Sequence, residues 1–320
     1  MSIRFASAAS AVTLAACLAA PAFAAETDVA TSDQAAEAEI SVADTSLQAL
    51  PVIAPIDLAT VTSQDEETPT FTLSGSATII SDYRFRGVSQ SDKGIAVESG
   101  ITITHESGFY IATWGSNLAG WGTFGGSDVE LDLVAGYAMP LGEGKLDVGL
   151  TWYMYPSGFD NTDFAELYAK VSGTIGPVGL TAGIAYAPKQ EALGKVFLTG
   201  AAAVAGAPAD IGDKEDNLYL SGDAVYGIAD TPISLRAHIG YSDGNAGLGP
   251  NGTTLAPTGT YFDWLAAIDL TVLKNLTVSV AYVDTDISDA ESAYLLPNFQ
   301  KVGGGSIADA TALFSVTAAF

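Results

Sequence analysis

The sequence predicts an all-β chain: a transmembrane, antiparallel, up-and-down β-barrel of about 12 strands, preceded by a disordered acidic arm. Three observations predict it. From Phe71 onward, apolar and polar residues alternate in segments of about ten residues, the length a tilted membrane strand needs. The connections between these segments alternate short and long. Finally, mean hydropathy is +0.29 and only 15% of residues are charged. Yet no run of about 18 apolar residues occurs beyond the N-terminus, which argues against a helical membrane protein. A chain that is apolar on average but never in one block has every second residue facing lipid.

Taken in order, residues 1–24 read as a secretory leader. Arg4 lies in a short basic region, an Ala/Val/Leu stretch follows, and Ala22-Phe23-Ala24 is an A-x-A cleavage site. Leu14-Ala15-Ala16-Cys17 also fits a lipidation signal that would anchor Cys17; the apolar core running past it favours cleavage at the later site. Cys17 is the only cysteine of the 320 residues, so the chain without its leader forms no internal disulfide. Residues 25–69 carry ten acidic residues, no Lys or Arg, and Pro51, Pro55 and Pro69. Such a segment cannot bury enough apolar surface to offset its ordering entropy, so it is expected to be disordered. It reads as a periplasmic tether or, alternatively, as a lumen plug or a contact to peptidoglycan or a partner.

Residues 70–320 form the expected barrel. Its strands fall near 71–84, 94–105, 109–118, 128–139, 145–155, 162–174, 178–187, 215–227, 232–242, 260–272, 276–286 and 306–320. Short turns such as Glu106-Ser107-Gly108, Gly176-Pro177 and Lys274-Asn275 follow the even strands. Long Gly/Asp-rich connections, clearest at 188–214, 243–259 and 287–305, follow the odd ones. Short inner turns with longer outer loops are the connectivity of a bacterial barrel. The faces agree: strand 260–272 sets Phe262, Trp264, Ala266, Ile268, Leu270 and Val272 against Asp263, Ala267, Asp269 and Thr271. Strand 109–118 shows no clear face. Tyr83, Phe85, Trp114, Tyr137, Trp152, Tyr186, Tyr226, Tyr241 and Tyr282 fall near strand ends, where aromatic girdles belong.

The final stretch, Ile307 to Phe320, places Ala310, Ala312, Phe314, Val316, Ala318 and Phe320 on one apolar face. Alone it also fits a soluble β-sandwich; the rest of the chain decides. Phe314, Val316, Ala318 and Phe320, ending on an aromatic residue, resemble the signal that the barrel-assembly machinery reads in outer-membrane barrels. A second resemblance is carried by Ser81-Asp82-Tyr83-Arg84-Phe85-Arg86-Gly87-Val88-Ser89-Gln90-Ser91-Asp92, by His105-Glu106-Ser107-Gly108-Phe109-Tyr110 and by Trp114-Gly115-Ser116-Asn117. Together these blocks resemble the TorF family of Gram-negative outer-membrane porins, over about residues 70–320. The resemblance implies a barrel in the bacterial outer membrane, reached through the cleaved leader, and a pore; it carries no catalytic residues.

The net charge of −25 and pI of about 4.1 argue against nucleic acid and anionic lipid headgroups as binding partners. Removing Arg4 with the leader leaves 11 basic against 37 acidic residues. On the assigned register the interior gathers Asp82, Arg84, Glu98, Glu130, Asp132, Asp147, Glu166, Lys170, Asp223, Arg236, His238, Asp263, Asp269 and Asp309. Acids outnumber bases, which predicts a porin for small hydrophilic solutes that favours cations. The other reading is a closed structural or adhesive barrel, its interior charges paired with Arg84, Lys170 and Arg236 and its long loops binding an external partner. A barrel of this size lies between filled and open cases, so strand number leaves both readings standing. Outer-membrane lipid and lipopolysaccharide are the expected surroundings; oligomeric state is not legible.

Catalysis, metal and cofactor are not expected. His105 and His238 are the only histidines, and no G-x-S-x-G motif occurs. Gly247-Leu248-Gly249-Pro250-Asn251-Gly252 matches G-x-G-x-x-G without a following helix and is expected to be a flexible loop. Asp284, Asp286, Asp289 and Glu291 lack the Gly and Glu positions of a calcium loop and read as a solvated acidic loop.

Overall fold

The structure, a computed structural model, describes residues 70–119, 126–158, 160–250, 255–256, 258–294 and 305–320. The leader with Cys17 and the acidic arm lie outside the described residues. Twelve antiparallel strands close into a barrel. They are β1 (Phe71–Ile80), β4 (Ala96–His105), β5 (Phe109–Asn117), β6 (Val129–Leu141), β7 (Gly144–Met154) and β8 (Phe164–Ile175). The ring continues through β9 (Val178–Gln190), β10 (Glu215–Gly227), β11 (Ile233–Asp243), β12 (Thr260–Leu273), β13 (Leu276–Thr285) and β14 (Thr311–Ala319). Two further strands, β2 (Arg84–Phe85) and β3 (Val88–Ser89), form a separate small hairpin. Each barrel strand pairs with its sequence neighbours, and β14 closes on β1.

The alternation read from the sequence is the alternation of burial. On β12, Phe262, Ala266, Ile268, Leu270 and Val272 are exposed on the outer wall while Asp263, Leu265, Ala267 and Asp269 are buried inside. Closure removes the edges that an open sheet would leave, so every strand finds two partners. At the seam Ser76 to Ile80 face Ala319 to Ser315 in antiparallel register. Gly75 N–H donates to the Phe320 carbonyl at 2.8 Å, and Phe320 N–H to the Gly75 carbonyl at 2.9 Å. Phe320 lies over Gly75, where a Cβ would meet its ring. Phe314, Val316, Ala318 and Phe320 all stand on the outer face, where the sequence put them.

The short turns share one end of the barrel with the chain ends of β1 and β14. Gly108, Gly142 and Gly176 take positive φ there (96°, 61° and 58°), which glycine adopts without steric cost. Four expectations are corrected. The first strand ends at Ile80, not 84, and the chain turns inward there. The last strand begins at Thr311, because Ile307 and Ala308 pack as buried loop residues. Tyr83, Phe85 and Trp114 are buried inside the barrel rather than in an outer girdle, whereas Trp152, Tyr186, Tyr226 and Tyr282 do stand outward. Gly247 to Gly249 are packed rather than loose: Leu248 is buried and bridges to Phe197.

Candidate functional site

The segment between β1 and β4 folds into the barrel. Arg84 pairs with Ser89 and Phe85 with Val88, leaving Arg86 and Gly87 as a two-residue turn with φ of 48° and 78°. Two successive positive φ values suit the twist of a tight hairpin. The hairpin crosses the interior from the β1 seam to the opposite wall. At its tip Arg86 Nη2 donates to both carboxylate oxygens of Glu166 on β8, at 2.6 and 2.8 Å. The guanidinium carbon lies 4.1 Å from the ring centre of Tyr219 on β10 and 4.8 Å from that of Phe85. Tyr153 on β7 reaches Glu166 through its hydroxyl at 3.4 Å. On the other side, a Cβ at Gly87 would collide with Thr285 of β13 and come within 2.9 Å of Asp263 Cβ on β12. Glycine is required there for close approach as well as for φ.

The root of the hairpin is fixed by Arg84. Its Nε donates to Asp82 Oδ2 at 2.6 Å; its Nη1 donates to the carbonyls of Gly87 and Ile307 at 2.8 and 2.9 Å. Ser89 Oγ donates to the other Asp82 oxygen at 2.5 Å. Lys93 pairs with Asp309 in the connection before β14. Around the hairpin the far half of the interior is an aromatic core. Tyr83 packs on Trp114 at 5.3 Å, Phe85 meets Tyr153 edge-on at 5.8 Å, and Tyr153 stacks on Phe164 at 4.4 Å. Val88, Leu248, Tyr261, Ile287 and Ile307 form a second cluster that covers the hairpin from the long-loop end.

The tip is held by strong contacts and carries costs. Arg86 is a non-glycine residue in the left-handed region, which costs about 1–3 kcal/mol. Its Nε and Nη1 are buried without a protein partner, each about 1–3 kcal/mol of desolvation. One nitrogen serves both Glu166 oxygens, where a two-nitrogen fork is the better match to a carboxylate.

Of the residues expected inside, Asp82 and Arg84 sit on the inserted segment, Arg84 in the short strand β2, and Asp309 in a connection, none of them on a strand of the barrel wall. The other eleven face inward from strands: Glu98 (β4), Glu130 and Asp132 (β6), Asp147 (β7), Glu166 and Lys170 (β8), Asp223 (β10), Arg236 and His238 (β11), Asp263 and Asp269 (β12). The structure groups them. Arg236 Nε donates to Asp269 at 2.5 Å and its Nη2 to the second oxygen at 3.0 Å. His238 lies 2.6 Å from Asp223 and 3.2 Å from Asp263, with the Tyr219 hydroxyl 2.9 Å from its Nε2. Lys170 leans over Tyr168, its ammonium 5.6 Å from the ring centre, rather than pairing with an acid.

Four carboxylates, Glu98, Glu130, Asp132 and Asp147, are in no ion pair among the described residues. Phenols meet two of them: Tyr110 donates to Asp147 at 2.8 Å, and Tyr155 to Glu130 at 3.3 Å. Burial first, and then Glu130 and Asp132, push the Tyr83 and Tyr155 phenols well above their ordinary pKa, so both stay protonated. Tyr110, Tyr168 and Tyr219 lie against Gly136, Gly149 and Gly240 of neighbouring strands, where no Cβ would fit beside them. Sequence reasoning missed Arg86, Lys93 and Tyr219. Arg-Gly between two alternating pairs was the available signal for the hairpin tip.

Fold and interior thus define a closed antiparallel barrel with a charged lumen and an inserted hairpin. The chain belongs to a bacterial family of unknown function, Gcw_chp, whose profile matches residues 64–320; the match does not carry the TorF name. A comparison with curated protein sequences returned no match. Among solved structures the chain is similar to the KdgM porin in complex with disordered oligogalacturonate, at 11% identity over 77% of this chain and 99% of that one, TM-score 0.44. It is similar to an outer membrane channel from Pseudomonas putida F1 at 10% identity, covering 79% and 96%, TM-score 0.41. An anion-selective porin from Comamonas acidovorans gives 9% identity, 78% and 99% coverage, TM-score 0.36. The likeness is one of barrel architecture and assigns neither solute nor selectivity.

Proposed function

We propose that the protein is an outer-membrane channel through which small hydrophilic solutes and ions diffuse passively, cations in preference to anions. The observation that carries this reading is the imbalance of inward charge. Arg84, Arg86 and Arg236 are each bound to an acid of their own. Glu98, Glu130, Asp132 and Asp147 have no basic partner among the described residues, so acids outnumber bases on the inward face, and an excess of one charge type biases which ion enters. The outer wall supports a membrane setting, with exposed Leu73, Ile101, Ile111, Leu133, Ile184, Ile239 and Ile268 distributed around the ring. Export through a cleaved leader and insertion by the barrel-assembly machinery, with Phe314 to Phe320 as the signal, belong to the same proposal.

We assign no catalysis. His238 is locked between two carboxylates, and His105 sits at a short turn with its Nδ1 bonded to the Ser107 hydroxyl at 2.7 Å. A second reading is a closed barrel whose long loops bind outside the cell. The hairpin and the loop cluster over it favour this reading at the long-loop end. Planar-bilayer recording under a salt gradient separates the two: discrete steps with a cation-selective reversal potential support the channel, and a silent barrel supports the second reading.

A further inference from the structure

The pocket around Arg86 is built like a receptor for a cation and is filled by the chain itself. Glu166 supplies a carboxylate that is 4% exposed, and Tyr219 offers a ring face at 4.1 Å. Tyr153 buttresses the carboxylate, and Asp263 accepts from the Tyr219 hydroxyl at 3.1 Å. A planar, delocalised cation fits this combination of acid and stacked ring better than a compact ammonium does. The occupant fits imperfectly. Two guanidinium nitrogens lack protein partners, a single nitrogen serves both Glu166 oxygens, and the Arg86 backbone is held at positive φ. A guanidinium free of the hairpin backbone could turn to make the two-nitrogen fork that Arg86 does not make.

We propose that this pocket is a binding site for guanidinium-bearing cations, and that Arg86 occupies it as a tethered stand-in that keeps the hairpin seated. A solute of this class competes with Arg86, releases the tip from the β8–β10 wall and widens the lumen. The inference rests on the channel reading for its consequence and on the pocket alone for its chemistry, so the two are tested separately.

The pocket is tested by calorimetric titration of agmatine into refolded Arg86→Ala, in which the stand-in is gone. Binding is expected, and it should be about thirtyfold or more weaker in Arg86→Ala with Glu166→Gln, where a desolvated charge partner is lost. Butylamine, an ammonium of similar length, should bind more weakly than agmatine to Arg86→Ala. Equal agmatine affinity in the two variants, or no binding to Arg86→Ala that has kept its β-sheet circular dichroism, overturns the proposal. Should Arg86→Ala not refold, the wild type supplies the test. Agmatine should then speed hydrogen exchange at the Ser89 and Gln90 amides, and unchanged exchange overturns the proposal. Conductance separates the channel reading from the site. Agmatine binding without any current in Arg86→Ala removes the channel and leaves the site; current without binding does the reverse.

Discussion

Replacing Glu166 by Gln keeps its shape and removes its charge. The Arg86 and Glu166 side chains are 2% and 4% exposed, so solvent screens the pair little. Taking one partner from a buried ion pair costs about 3–5 kcal/mol, because the other charge stays behind uncompensated. The cost cannot exceed the free energy that seats the hairpin, since beyond that point the tip withdraws and Arg86 regains water. The equilibrium that shifts is therefore local opening of residues 82–91, not unfolding of the barrel. Hydrogen exchange reads it directly: Ser89 N–H donates to the Ile307 carbonyl at 2.9 Å and Gln90 N–H to the Tyr83 carbonyl at 2.8 Å. At about 1.4 kcal/mol per tenfold, protection at these amides should fall by about two to three and a half orders of magnitude, or to that of an open loop. Amides in the middle of β12, such as Leu265, should keep theirs. Unchanged protection at Ser89 and Gln90 in a folded Glu166→Gln protein would refute the reasoning, as would equal loss around the whole barrel.

Gly87→Ala adds a Cβ against Thr285 and Asp263 at a φ of 78° and should unseat the hairpin at a cost of about 1 kcal/mol or more; exchange at Ser89 again reports it. Ile268→Arg, on the outer wall of β12, should destabilise the barrel in liposomes by about 2–4 kcal/mol in denaturant unfolding, and little change would place that face outside the membrane. Phe320→Ala uncovers Gly75 at the β1–β14 seam and should cost about 1–2 kcal/mol, discounted from a core Phe because Phe320 is half exposed; the denaturant midpoint measures it. Glu98→Gln with Asp147→Asn removes two of the four unpaired carboxylates and should move the reversal potential toward zero by about half. An unmoved potential would place the selectivity elsewhere.

The strands were legible because a barrel wall writes itself as period-two alternation, and Phe262 to Leu270 alternate in burial as they do in sequence, up to the register shift after Thr271. The inserted hairpin was not. Tyr83 and Phe85 continue the alternation of β1 beyond Ile80, and periodicity cannot distinguish an aromatic residue facing lipid from one packed in a lumen. Only Arg86-Gly87, two residues that both take positive φ, marks the reversal, and arginine is an uncommon occupant of such a turn. Trp114 was misplaced for a related reason. The outward face of β5 runs from Phe109 and Ile111 to Thr113 and Gly115, so its polarity does not name a side. Strand register alone decides the face of Asp147, Glu166 and Asp263, all three of which are buried on strands of the wall. Which acid meets which base depends on strands far apart in sequence, as Arg86 and Glu166 do, and no local pattern carries that.

One comparison in a planar bilayer tests the channel and its constriction together: unit conductance of the protein freed of residues 1–24, beside a variant with residues 84–89 replaced by Gly-Ser-Gly. A hairpin that narrows a water-filled lumen predicts discrete steps from both proteins and a larger step from the shortened one. Steps of equal size would contradict the hairpin as the constriction, and silence from both would contradict the channel itself.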